Sequence, residues 1–204
     1  FIMWPRGFWL GACEVTQAQW DALMQTNPSA FRGPDLPVEG VTWEQAREFC
    51  RRLDAARPAL GVRLPGVPEA QQATFKVAID LPTEAHWEYA CAPLAGGLLV
   101  TNAFSSGNTE ADLDRVGWYV RNSGDQTHPV GLKEANAYGL HDMHGNVWEW
   151  CLNKKMPYYD MAVQQKDFYT AEGDLHGLRG GSWESAAHGC RTVFRGPHPS
   201  VAGG

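Results

Sequence analysis

Cysteine, histidine and carboxylate side chains hold most of the reactive chemistry in this 204-residue chain. Five cysteines (Cys13, Cys50, Cys91, Cys151 and Cys190) are scattered with no close pair. That spacing fits neither a zinc-ligand pattern nor a disulfide scaffold, and an odd count leaves at least one thiol free. Buried free thiols in a reducing compartment are the expectation. His141 and His144 stand three apart, a separation that serves a metal on a helix. They lie in a Gly- and Asn-containing stretch with no third ligand nearby, which predicts a hydrogen-bonding role in a loop.

The elements that must position these groups are legible in the first half of the chain. Residues 7 to 15 alternate enough to predict a strand. Thr16 with Gln19 makes a capping box for a helix over about residues 17 to 26. Trp20, Leu23 and Met24 form its expected buried face, and Asn27-Pro28-Ser29 ends it. Thr42 with Gln45 repeats the box. There Trp43, Ala46, Phe49, Cys50 and Leu53 recur at helical spacing while Arg47, Glu48, Arg51 and Arg52 face away. Pro58 closes that helix. A third follows Thr83 and carries Trp87, Tyr89, Ala90 and Cys91. The dipeptide Leu-Pro occurs at 64–65 and again at 81–82, so residues 66–80 read as an insertion. Beyond residue 95 helical periodicity fades. Loops and short strands are expected there, held by Trp118, Trp148, Trp150 and Trp183.

Composition sets outer limits. Hydrophobic residues make up 44% and charged residues 20%, an ordinary globular balance for a single domain over residues 1–204. Nine Trp with 22 Gly and 13 Pro imply a rigid, irregular molecule of short elements. The formal net charge of −6 argues against nucleic acid as the partner. No apolar run approaches the ~20 residues that span a bilayer. The opening FIMWPRGFWLGACEV does not resemble a signal peptide, and it lacks Met, so the natural start is expected upstream. The address stays open, cytoplasmic or displayed at a cell surface.

Several stretches together carry a resemblance: EVTQAQW at 14–20, PVEGVTWEQAREFCRRL at 37–53, LPTEAHWEYAC at 81–91, NAYGLHDMHGNVWEWC at 136–151, LRGGSW at 178–183 and Cys190-Arg191. In this order they are similar to the formylglycine-generating-enzyme (sulfatase-modifying factor) domain family. The resemblance implies an α+β, C-type-lectin-like fold with few helices, short strands and much irregular structure. That fold serves cysteine oxidation to formylglycine, sulfoxide synthesis beside a helical iron-binding domain, and ligand display by variable proteins of diversity-generating retroelements. Fold does not choose among these; the site must.

Formylglycine-generating enzymes resemble one another in two cysteines, five apart, after the GGS turn. They hold Cu(I) between soft thiolates. Counted from Gly180-Gly181-Ser182, the second position is Cys190 and the first is Ser185. A hydroxyl is a poor ligand for Cu(I), so no copper is expected and the cysteine pair is incomplete. Cys190 then reads as a small buried residue beside Arg191, whose guanidinium packs or pairs with a carboxylate. No HxxxHxE-like iron cluster is present. The resemblance also implies a structural Ca²⁺ held by the carbonyls of His144, Gly145 and Val147 and the carboxylate of Glu149. The alternative is that Glu149 caps backbone N–H groups without an ion. Asn153 stands where many members have Asp.

In retroelement-diversified relatives, mutagenesis falls on the C-terminal segment, here 184–204. Cys190, Arg191, Arg195 and Pro199 read as framework. Glu184, Ser185, Ala187, His188, Gly189, Val193, Phe194, Gly196, Pro197 and His198 read as ligand-facing. Every residue from Ser185 to Gly204 is one that an NNC codon encodes, as adenine-directed mutagenesis of AAC codons produces. Phe194 and His198 are the expected anchors. The alternative places Val193 and Phe194 in the core and the rest in a solvated loop. The family usually closes with a strand carrying Gly-Phe-Arg. None precedes Gly203-Gly204, so such a strand is expected further on.

The resulting expectation is a non-catalytic ligand-binding protein whose partner is an unknown protein or surface ligand. An oxidoreductase of the formylglycine-generating or sulfoxide-synthase type is the alternative. A silent accessory domain that stabilises a partner is a third.

Overall fold

A threonine starts each of the four described α-helices in the computed structural model, which describes residues 8–57, 78–92, 94–95, 98–99, 101–154 and 176–196. The predicted insertion at 66–80 lies mostly outside these residues. Helix α1 (Gln17–Met24) opens on the Thr16–Gln19 box and α2 (Trp43–Ala56) on the Thr42–Gln45 box. Thr83 caps α3 (Glu84–Cys91) by accepting the His86 N–H. Each cap satisfies a backbone donor that the first helical turn leaves without an acceptor.

A fourth helix, α4 (Glu110–Val116), lies where only loops and strands were expected. It spans seven residues, too short for a periodic stripe, but its box is present with Asp112 in the place usually taken by Glu or Gln. Leu113 and Val116 bury its inner face.

Trp20 of α1 stacks on Phe49 of α2, rings parallel within 9° and 5.2 Å apart. Leu23 and Met24 are only partly buried. Gln17 takes the interior place instead and ties down residues 27–37. Its amide donates to the carbonyls of Phe31 and Pro37 and accepts from Asn27.

The strand expected over residues 7–15 is not formed by the described part of that segment. Its backbone groups bond to two different neighbours, Ala12 O to His141 N and Val15 O to Val38 N, so no continuous ladder develops. Phe8 and Leu10 nevertheless lie against the core.

Three two-stranded ladders follow. β1 (Leu94–Ala95) pairs antiparallel with β2 (Leu98–Leu99). β3 (Gly117–Trp118) pairs parallel with β4 (His144–Gly145). β5 (Glu149–Lys154) pairs antiparallel with β6 (His176–Arg179), with an irregularity between Trp150 and Lys154. β3 and β4 approach so closely that a Cβ at Gly117 would collide with the His144 carbonyl oxygen, and one at Gly145 with that of Trp118.

Two clusters form the core. Trp87, Ala90, Cys91, Leu140, Met143 and Cys151 pack between α3 and β5. Phe104, Leu113, Val116, Tyr119 and Cys190 pack under α4. All five cysteines are free thiols, and all but Cys13 are buried. The four expected tryptophans sit partly buried around these clusters. Trp150 donates its indole N–H to Val41 O, and Trp118 lies between the His128 ring and Lys133 Nζ.

Candidate functional site

After β6 the chain turns through Gly180-Gly181-Ser182 and closes the turn with Ser185. The Ser182 N–H donates to Ser185 Oγ at 2.9 Å, the two hydroxyls are 3.1 Å apart, and the Ser185 N–H returns to Ser182 O. The hydroxyl at the first metal-ligand position is therefore used up in the turn. Cys190 follows on a 3-10 turn (Ala187–Cys190) and is fully buried. Its sulfur presses on the backbone: a Cβ at Gly181 would come within 2.7 Å of Sγ. Burial pushes the Cys190 thiol up to about 12, so it stays protonated at neutral pH. One thiol and one hydroxyl committed to the turn do not supply the pair of soft sulfur ligands that the resemblance implies for Cu(I).

Arg191 does not do what the sequence predicts. It is exposed, and among the described residues no carboxylate meets its guanidinium. Arg179, in the LRGGSW motif, takes the buried role. It pairs with Glu88, donates to Phe194 O at 2.8 Å and lies 5.1 Å over the Trp87 ring. That arrangement ties the C-terminal segment to α3.

Both histidines of the 136–151 motif serve hydrogen bonds. His141 Nδ1 is 2.8 Å from Lys133 O. His144 Nε2 accepts the Ser105 N–H at 2.9 Å, so its Nδ1 carries the proton and donates to Cys190 O at 2.8 Å. Burial holds His144 down to about 4 and keeps it neutral. Cys91 Sγ lies 3.7 Å from the same Nε2, but its thiol is raised by burial and that lone pair is already engaged, so the two do not form a nucleophilic couple.

Beside them three carboxylates act on one another. Glu14 accepts from Asn146 Nδ2 (2.7 Å) and Val147 N (3.0 Å). Glu149 accepts from Trp87 Nε1 at 2.9 Å. Asp142, held at φ 57°, accepts the Gly131 N–H on Oδ2, and its buried Oδ1 meets no donor among the described residues. Burial pushes Glu149 up to about 7, with the Trp87 bond opposing and the Asp142 charge adding. Burial also raises Glu14 well above its ordinary value, helped by Asp142 and then Glu149. Burial raises Asp142 as well.

A buried carboxylate oxygen without a donor among the described residues, beside two further carboxylates whose ionised forms burial disfavours, is chemistry a hard cation could relieve. Among the described residues no three His, Cys, Asp or Glu side chains are placed to hold a metal together, so backbone oxygens would have to complete the set. Of the expected carbonyls, that of His144 lies against Gly117 in the β3–β4 ladder. Asp142 and Glu14 were not among the expected site residues. Glu14 stands 128 positions before Asp142, and only folding brings them together.

The expected ligand-facing positions divide by depth. Glu184, His188 and Val193 are exposed, Val193 to 65%. Phe194 is half-buried and lies edge-on to His188, centroids 5.7 Å apart. Ser185 is spent in the turn and Ala187 packs against the second core cluster. Gly189 and Gly196 are buried, so they shape the surface and present no side chain to a ligand. Pro197 and His198 lie outside the described residues. Exposure alternates: Glu184, Ala186 and His188 face out, then Arg191, Val193 and Arg195. Ala186 and Arg191 were thus absent from the expected face, whereas Arg195, though exposed, pairs with Glu84 at 3.7 Å as a framework residue would.

Two neighbours complete this face. The Val120 N–H donates to Ser185 O at 3.1 Å, and the Val120 side chain is 51% exposed. Phe31 meets the Trp183 ring edge-on at 5.5 Å.

Comparison with known proteins places this geometry. Chaperone protein LppX of Paenibacillus barcinonensis is 35% identical over 71% of this chain and 61% of its own length. Hercynine oxygenase of Mycolicibacterium smegmatis is 30% identical over 94% of this chain and 50% of its own length. The chain therefore spans between half and about three-fifths of these relatives. Among solved structures, Treponema denticola variable protein 1 superposes with a TM-score of 0.69 at 33% identity, covering 92% of this chain and 78% of that one. The fold is α+β and C-type-lectin-like, as the motifs implied. No helix among the described residues is long and apolar enough to cross a membrane. The profile of the Sulfatase-modifying factor enzyme 1-like domain matches residues 2–203, and the chain belongs to that family.

Proposed function

We propose that this chain is a non-catalytic binding protein that presents residues 184–196 to a protein or surface ligand, diversified by a retroelement. The observation that carries the reading is the alternation of that segment. Inward positions (Ser185, Ala187, Gly189, Cys190, Thr192, Gly196) are locked by hydrogen bonds and packing, while outward ones make few demands on the core. Surface positions of this kind change with little effect on stability, which is what a diversified surface requires. The likeness to a variable protein at 33% identity supports it. So does the chemistry at Ser185 and Cys190, which offers no thiolate pair.

A structural Ca²⁺ fits the same framework. Asp142 and Glu149 would hold it, with carbonyls of Gly145 and Val147, and its charge would offset the burial that disfavours their ionised forms. It would brace the loop below the display segment and take no part in chemistry.

The reading is tested in the flanking DNA. A reverse-transcriptase gene and a near-repeat of the codons for 184–204, differing at adenines, are expected. A locus with neither, in a genome without such an element, contradicts diversification. A second reading rests on the 35% identity to a protein named as a chaperone. An accessory domain of that type would co-purify with one fixed partner, whereas a display protein would not.

A further inference from the structure

The loop that would take the cation is also the floor of the recognition segment. The Gly145 N–H donates to Gly180 O at 2.8 Å, and the Trp183 N–H donates to Asn146 O at 2.8 Å. His144 Nδ1 donates to Cys190 O at 2.8 Å. These three bonds hold the segment at its entry and in its middle. Gly180 itself sits at φ 91°, and a Cβ there would lie 3.9 Å from Glu149 Oε1 and 3.7 Å from Met143 O. One oxygen of Glu149 therefore faces the turn that opens the segment, while the other accepts from Trp87.

Asp142 is 1% exposed, and its Oδ1 meets no donor among the described residues. Its charge acts on Glu149 and Glu14, and a divalent cation turns that repulsion into attraction to a shared centre. The carbonyls of Gly145 and Val147 would complete the set, and the Asn146 carbonyl stands between them in the chain. Gly145 and Asn146 are consecutive left-handed residues, at φ 85° and 59°, a conformation that a non-glycine residue holds only under constraint. Fixing the two flanking carbonyls supplies that constraint, and with it the acceptor that the Trp183 N–H requires. Without the ion the carboxylates repel again and the turn at Asn146 is less constrained, which loosens the bonds to the segment together.

We propose that divalent-cation binding at Asp142 and Glu149 governs the order of the recognition segment, so that its outward residues are presented by the Ca²⁺-loaded chain. This rests on the cation and display readings above. The ion touches no ligand; it acts through Gly145, Asn146 and His144.

The test uses the full chain. Ca²⁺ is titrated by calorimetry, and backbone hydrogen exchange is followed with Ca²⁺ and with EGTA, in low urea so that local openings are told from global ones. One ion per chain is expected. The amides of Trp183, Ser185 and Gly189, which bond to Asn146 O, Ser182 O and Ala186 O, should exchange by local opening in EGTA. With Ca²⁺ at about ten times its Kd they should slow about tenfold, the factor that this excess sets for any opening that releases the ion. D142N keeps an acceptor for the Gly131 N–H and suits the left-handed backbone, and it should remove both the binding and the slowing. If D142N does not fold, E149Q, which keeps an acceptor for Trp87, takes its place. No binding at millimolar Ca²⁺ overturns the proposal. So does binding that leaves the three amides unchanged, and so do amides that open only with the whole domain, since the ion then braces the domain and not the segment. None of these results touches the display reading, which the flanking DNA decides.

Discussion

The loop of residues 142–149 and the segment of residues 184–196 lie side by side but follow opposite rules. In the loop nearly every polar group is assigned: His144 to Cys190 O and Ser105 N, Asn146 to Glu14 and His128, Glu149 to Trp87. In the segment the inward side chains are locked, while Glu184, Ala186, His188, Arg191 and Val193 face out and Arg195 pairs with Glu84. A buried polar network tolerates no change because each lost partner leaves an unsatisfied group. An alternating surface run tolerates change at every second residue. One small domain can thus combine a framework that specifies a single fold with a face free to vary.

The comparison breaks most visibly at Trp87 and Arg179. W87A, which also orphans Glu149, should cost about 3–5 kcal/mol in chemical denaturation. R179A removes the cation paired with Glu88 and the donor to Phe194 O; because Glu88 stays 41% exposed, a loss of about 1.5–3 kcal/mol is expected. A loss below 1 kcal/mol in both would mean that the framework is not rigid where the geometry makes it so.

A smaller effect is expected at Gly181. It sits at φ 85° with Cys190 Sγ pressed against it, so G181A should destabilise by about 1–3 kcal/mol. Pairing G181A with C190A should recover part of that loss if the close contact is the cause.

The carboxylates give the loop a pH signature. Glu149 is raised to about 7 in the folded chain, above its value of roughly 4.3 when unfolded. Stability from this group is therefore full below about pH 4.3. It falls as pH rises toward 7, because the folded state keeps a proton that the unfolded state has released. Thermal melting between pH 5 and 8 should show this decline, and E149Q should flatten it. Millimolar Ca²⁺ should raise the melting temperature at pH 8 more than at pH 5. Equal shifts at both would argue that Glu149 caps backbone groups and holds no ion.

The least effect belongs to the outward face. V193A and H188A should each stay within about 0.5 kcal/mol of the parent.

How far the sequence could be read follows the same division. Thr16 with Gln19 and Thr42 with Gln45 announce helices locally, because a cap and its partner stand three residues apart. Thr109 with Asp112 carried the same message in a less usual form, ahead of a helix too short to show a period. The acidic cluster was not legible, since Glu14 and Asp142 look unremarkable until folding brings them to one place. Over residues 184–196 residue type was a mixed guide. Arg191 resembled framework and faces outward, Arg195 resembled framework and pairs with Glu84, and Gly189 and Gly196 resembled loop and lie inside. Depth there is set by the 3-10 turn and by Trp148, which local pattern does not encode.

The central proposal is that the outward residues of 184–196 serve recognition and that Ser185 and Cys190 form no redox-metal site. Its most direct test loads purified protein with Cu(I), and separately with Fe(II), removes excess metal, and follows metal content and oxygen uptake with a thiol peptide present. With Ser185 Oγ committed to its turn and a single buried sulfur at Cys190, metal retained here should fall well below one per chain, and oxygen should fall no faster than in buffer. One tightly held redox metal per chain with thiol-dependent oxygen consumption, abolished by C190A, would contradict the account.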